Sequence, residues 1–183
     1  MKYPYYQEAT SKTFFSTDKI IFFIIGGLTV LALILIGFFS VQEQKQKKVA
    51  NVATYVATDQ EKPKAVTTGF FSDLGKMKVN EEKGAKFTIE NSGSKPLQVF
   101  NITSSCGCTV GKVTIGGKTS PEFSMDSKSN WTGEIQPGQN AAVEVIYRPF
   151  VMPVKGEVTR DVYVSTNDPE NKLLTFTVKA DVQ

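Results

Sequence analysis

The chain has 183 residues, 40% of them hydrophobic, a formal net charge of +3 and no histidine. Such a length accommodates one domain with appendages, and the lack of histidine excludes Ser-His-Asp and Cys-His centres together with most zinc and haem sites. The excess charge is local: residues 1–66 carry eight lysines and five acids, whereas residues 67–183 carry thirteen basic and thirteen acidic residues, a balance that argues against a phosphate-binding surface for nucleic acid.

Residues 1–19 read as a short polar N-terminal tail in which Tyr3, Tyr5, Tyr6, Phe14 and Phe15 suit a membrane interface. From Ile20 to Phe39 there is no charged residue. As a helix this run is about 30 Å long, the thickness of a bilayer's hydrocarbon core, so residues 20–40 are expected to be a transmembrane anchor. No small-x-small site closes the run, which argues against a cleaved signal peptide. Lys2, Lys12 and Lys19 before it balance Lys45, Lys47 and Lys48 after it. The charges therefore leave orientation open, and an uncleaved N-terminal anchor favours a domain outside the cytoplasm. Residues 41–66 read as a helical stalk or linker. Val49, Val52, Ala53 and Val56 recur at helical spacing to about residue 58, and Pro63 ends the pattern.

From about Thr67 the period changes to two. Phe87 and Ile89 alternate with polar residues, as do Val143, Val145 and Tyr147, and Val162 and Val164. In the last run Leu174, Phe176, Val178, Ala180 and Val182 share one face, and Thr175, Thr177, Lys179 and Asp181 the other. Structural turns are expected at Asn91 and Gly93, at Pro137-Gly138 and at Asn167-Asp168, and Gly116-Gly117 reads as a hairpin turn. About seven short strands fill residues 67–183. The expected fold is mainly β, an immunoglobulin-like antiparallel β-sandwich preceded by one N-terminal transmembrane α-helix.

Four motifs in order carry a resemblance: Phe87 to Leu97 around Asn91-Ser-Gly93, Ser105-Cys106-Gly107-Cys108-Thr109, Ile135-Gln-Pro137-Gly138, and Thr166-Asn167-Asp168. Residues 67–183 resemble the bacterial domain-of-unknown-function family 1573, an immunoglobulin-like sandwich of the hydin and abnormal-spindle type. The resemblance implies that fold and a bacterial cell-envelope setting. It implies no reaction. The segment between Cys108 and Ile135 is longer than the family's usual connection.

Cys106 and Cys108 are the only cysteines. They can be free thiols packed as small hydrophobes, a tight disulfide, or soft metal ligands. With no histidine present, Met125 and Met152 are the remaining soft donors, and two thiolates with methionine would suit Cu(I). An inert structural pair is the leading expectation. Gly107 is expected to supply the backbone freedom that a disulfide needs. The acids Glu122 with Asp126, and Glu157 with Asp161, read as solvated loop residues. Trp131, the only Trp, is either a lid on the core edge or, with Phe123, an exposed partner contact. Asn101-Ile-Thr103 and Asn130-Trp-Thr132 match glycosylation sequons, a pattern common by chance.

The residues thus describe a membrane-anchored, non-enzymatic module that binds an envelope protein or a surface polymer. The alternative is an extracytoplasmic copper-binding or thiol-redox protein using Cys106 and Cys108.

Overall fold

The computed structural model describes Ile21, residues 25–35 and residues 52–183. The chain divides into two compact units, Met1–Lys48 and Val49–Gln183. In the first, Ile21 and residues 25–35 are helical, and Ile25, Leu28, Leu31, Leu33 and Ile34 all expose their side chains. Among the described residues no helix is long and apolar enough to cross a membrane. The expected polar tail, both ends of the expected span and the first part of the expected stalk lie outside the described residues.

The second unit is built from ten strands: β1 (Ala65–Thr67), β2 (Phe71–Met77), β3 (Lys83–Asn91), β4 (Leu97–Ser104), β5 (Thr109–Ile115), β6 (Lys118–Thr119), β7 (Thr132–Ile135), β8 (Asn140–Tyr147), β9 (Gly156–Thr166) and β10 (Leu173–Val182). One five-stranded sheet has the order β1-β3-β8-β5-β6 and the other β2-β10-β9-β4-β7. Alternation places Ile89, Val113, Val143 and Val145 of the first sheet, and Leu97, Val99, Val162, Val164 and Phe176 of the second, in one shared core. The rings of Phe87 and Phe176 meet across it, with centroids 5.1 Å apart. Gly116 and Gly117 both have positive φ in the β5–β6 hairpin, as a primed two-residue turn requires.

β10 has the expected faces: Leu174, Phe176, Val178, Ala180 and Val182 are all buried. Its other face is not simply solvent, because Thr177 donates from Oγ1 to Asp161 Oδ1 at 2.7 Å. The expectation of purely antiparallel sheets is corrected at one edge. β2 pairs parallel to β10, from Thr177–Phe71 to Val182–Met77. The chain leaves β1 in one sheet and enters the other beside its last strand, and there β2 runs in the same direction as β10. In β4 the register with β9 shifts between Phe100 and Thr103, and Asn101 sits at φ 46°. Asparagine tolerates this left-handed conformation at a bulge better than most residues.

A helix reaching residue 58 is also corrected. Residues 52–64 are not helical and form a strap on the sandwich. Ala53 N–H donates to Gln98 Oε1 at 2.8 Å, Lys62 pairs with Glu170 at 2.6 Å, and Glu61 pairs with Lys95. Ser92 N–H and Ser94 N–H donate to the carbonyls of Lys64 and Lys62. Gly93 lies so close that a Cβ there would stand 2.4 Å from the Lys62 carbonyl oxygen, so only glycine permits this approach.

At the same end, side chains complete what strands cannot. Asn91, fully buried, donates to the carbonyls of Lys95 and Ile135 and accepts from Gly93 N–H. Asn167 Oδ1 accepts from Gln98 N–H at 2.8 Å. The turn at Pro137-Gly138 is closed by Gln139 N–H on the Gln136 carbonyl. Asp168 Oδ2 accepts from Ala65 N–H and from the Asn171 amide, each at 2.9 Å, and Oδ1 accepts from Glu170 N–H. Burial alone would raise the Asp168 pKa, but the Ala65, Asn171 and Glu170 donors outweigh it and hold the carboxyl below its usual range.

Two outcomes are expected. Val178→Asp places an unpaired carboxylate in the core and costs several kcal/mol, of the order of a domain's whole stability, whereas Thr175→Ser leaves a denaturant midpoint nearly unchanged. Comparable losses at both positions would contradict the single-core sandwich. The stability from Asp168 is present in full above the ordinary aspartate pKa of about 3.9 and is lost as pH falls below it toward the depressed native value. Asp168→Asn is therefore expected to lower the melting temperature at pH 7, and the gap to the wild type should narrow below about pH 4. A gap independent of pH would show that the charge contributes nothing.

Candidate functional site

β4 belongs to one sheet and β5 to the other, so Ser105–Cys108 carry the chain across the end of the core in four residues. So tight a corner leaves backbone groups without strand partners. Ser105 repairs this on one side: its N–H donates to the Asp161 carbonyl, and its Oγ accepts from Asp161 N–H at 3.0 Å. On the other side Arg148 N–H donates to the Cys108 carbonyl at 2.8 Å. Ser104 Oγ stands 2.7 Å from the carbonyls of both Cys106 and Thr109, and its single proton serves one of them at a time.

Cys106 and Cys108 are joined in a disulfide within this corner. The leading expectation of inert thiols is corrected, while the expected place at the core edge is kept, since both residues pack in the core cluster. The two sulfurs differ. Cys106 keeps 8% of its surface in solvent and Cys108 none. Thr109 Oγ1 lies 3.4 Å from Cys106 Sγ and 3.9 Å from Cys108 Sγ. Arg160 Nε donates to Cys108 Sγ at 3.3 Å. The same guanidinium stands 5.7 Å from the centre of the Tyr147 ring and donates from Nη1 to the Thr159 carbonyl. Tyr147 is fully buried, and its hydroxyl has no hydrogen-bond partner among the described residues.

Gly107 does not have the role expected of it. Its φ is not positive, and a Cβ built there would meet nothing within 4 Å. The corner would therefore admit another residue without backbone strain.

Beyond the corner, β8 leads into a 3₁₀ turn at Pro149–Val151. Phe150, Val151 and Met152 are each about half exposed, and Val154 is exposed as well. Arg148 at the base of this apolar tip forms a two-bond fork with Glu122, at 2.7 and 3.0 Å, and also pairs with Glu82. The hydrogen bonds from Arg148 hold the Glu122 carboxyl below its usual range, and Arg148 is driven still higher than a free guanidinium. Glu122 is thus an ion-pair partner of Arg148 and Lys112, and Glu157 of Lys179. Asp161 accepts from Thr177 and Tyr163.

The soft donors are not assembled in this redox state. Both cysteine sulfurs are spent in one bond, and Met125 and Met152 point to solvent from separate loops. Among the described residues no group of three or more Cys, Asp or Glu is gathered as a metal site. Phe123 is corrected from an exposed contact to a core residue, because Gly111 and Phe123 exchange both backbone hydrogen bonds and draw the ring inward. Trp131 packs on it with centroids 5.7 Å apart and lids the core edge. One side of the indole lines a groove with Ile115, Lys118, Thr119 and Glu134, and another adjoins Val52, Phe100 and Asn101. Arg160 escaped the sequence reading because it lies 52 residues from Cys108 and belongs to no motif. Its place beside the corner follows from the pairing of β9 with β4, in which Ser104 faces Val162.

Among solved structures, a protein of unknown function from Porphyromonas gingivalis W83 aligns at 22% identity and a TM-score of 0.48, over 64% of this chain. The chain spans about half of that protein's length, 46%. The human CEP192 ASH/PapD-like domain aligns at 13% identity and a TM-score of 0.45, over 73% of this chain and 96% of that one. A CsuC–CsuE chaperone–tip adhesion subunit complex from Acinetobacter baumannii aligns at 15% identity and a TM-score of 0.37, over 66% and 52%. No curated protein matches. The family match includes the cysteine corner, ends within the long connection and stops short of the last strands. Residues 66–122, from β1 to the residue before Phe123, match the family described as "Protein of unknown function (DUF1573)".

Proposed function

We propose that this chain is a membrane-tethered, non-catalytic interaction module of the bacterial envelope, and that the apolar tip after β8 binds its protein partner. The polarity of the sandwich carries this reading. The strap enters at the start of β4, where Ala53 bonds Gln98. The cysteine corner and the tip lie beyond Ser104, at the other end of that strand. Six residues of extended chain separate Gln98 from Ser104, about 20 Å. Phe150, Val151 and Met152 thus lie toward the end of the sandwich opposite the strap, within a charged rim of Arg148, Glu82 and Glu122. An apolar centre with a charged rim is the usual anatomy of a protein contact. The tether itself is supported by the uncharged run Ile20–Phe39 and by the outward-facing apolar side chains of residues 25–35.

A photo-crosslinking residue at position 151 in living cells is expected to give discrete protein adducts. The same residue at Lys86, exposed on β3, should give none, and Phe150→Ser should abolish the adducts from position 151. Equal labelling from both positions would reject the tip as the contact. For topology, protease added to spheroplasts should degrade residues 67–183 without lysis. Protection until lysis would place the domain in the cytoplasm.

A further inference from the structure

We infer that the Cys106–Cys108 disulfide is a thiol–disulfide exchange centre for a protein dithiol, in which Arg160 receives the thiolate that leaves. Its function in exchange is independent of the binding surface proposed for the apolar tip.

Three features of the corner support this. The bond spans a single residue, and a crosslink stabilises least when the loop that it closes is shortest. Ser104, the Ser105–Asp161 pair and the Arg148–Cys108 bond already hold the corner's backbone, so the disulfide is free to open without releasing the fold. Second, the sulfurs are inequivalent. Cys106 alone reaches solvent, with 8% of its surface exposed, and Gly107 between the two cysteines adds no side chain. Cys108 is enclosed, and its sulfur receives a hydrogen bond from a guanidinium. Third, among the described residues no carboxylate forms an ion pair with Arg160 within 4 Å, so its charge is available to a sulfur anion.

The exchange balances as follows. A thiolate of the partner's dithiol attacks Cys106 Sγ along the line of the S–S bond. A mixed disulfide forms, the Cys106–Cys108 bond breaks, and its electron pair leaves on Cys108 Sγ. There the Arg160 N–H and the Thr109 hydroxyl stabilise the thiolate, and a better-stabilised leaving thiolate departs faster. The partner's second thiol then gives up its proton to solvent and attacks its own neighbour in the mixed disulfide. Cys106 is released as a thiolate, and both cysteines take up protons. Two electrons pass to this chain, and the partner is left with a disulfide.

The test uses the full-length chain in mild detergent without denaturant, with dithiothreitol as the dithiol and alkylation with mass readout of each cysteine. The native disulfide is expected to be reduced without loss of the fold. Arg160→Gln should slow reduction by about tenfold or more, as expected on losing a charge-assisted hydrogen bond, and Arg160→Lys should restore part of the rate. Melting temperatures of both variants separate a rate effect from unfolding. A second measurement does not involve Arg160: with glutathione disulfide, folded Cys108→Ser should form an adduct at Cys106, and folded Cys106→Ser should form none at Cys108. Resistance to dithiothreitol until the protein is denatured would overturn the proposal, as would equal rates for wild type and folded Arg160→Gln, or adducts on Cys108.

Discussion

A sandwich of two sheets buries backbone at its ends, where strands stop and hydrogen bonding has to be finished by something other than a strand. In this domain three side chains meet that demand at the strap end. Asn91, Asn167 and Asp168 serve the N–H groups of Gly93, Gln98 and Ala65 and the carbonyls of Lys95 and Ile135. Each is buried, so each would be costly if its partners were absent. The placement of β1, the strap before it and the loops around Gly93 and Gly138 all depend on these bonds.

At the opposite end the same demand is met by hydroxyls and by the crossing chain itself. Ser104 and Ser105 close the corner between β4 and β5, and Arg148 connects it to β8. This end carries the disulfide, the guanidinium beside it and the exposed apolar tip. Strap and corner therefore differ in kind, one saturated with amide bonds, the other holding polarizable sulfur and uncovered carbon. The sheets between them keep the two ends apart.

Alternation made the strands legible, since a half-buried strand must alternate, and β10 shows this over ten residues. Turn residues were legible for a similar local reason. Pairings between distant segments were not. Nothing in Phe71–Met77 announces a parallel partner a hundred residues on. Val52, Ala53 and Val56 have helical spacing, yet the Gln98 side chain and the Lys62–Glu170 pair favour an extended strap. Phe123 looked like a loop residue because its neighbours are polar, and only its pairing with Gly111 turns it inward. Of the candidate site, the cysteines were visible as the one reactive pair, whereas Arg160 enters through the fold.

The close approach of Gly93 to Lys62–Lys64 also governs how the domain carries load. The strands run between the strap end and the corner end, and the hydrogen bonds joining β1 to β3 lie across that direction. A pull between an attachment at the strap and a bound partner at the tip would act along the strands. It would load the bonds of Ser92 and Ser94 on Lys64 and Lys62 together in shear, whereas a sideways pull would peel them one by one. A side chain at position 93 would pry that seam open. The glycine thus makes the junction a mechanical clamp against tension along the strands.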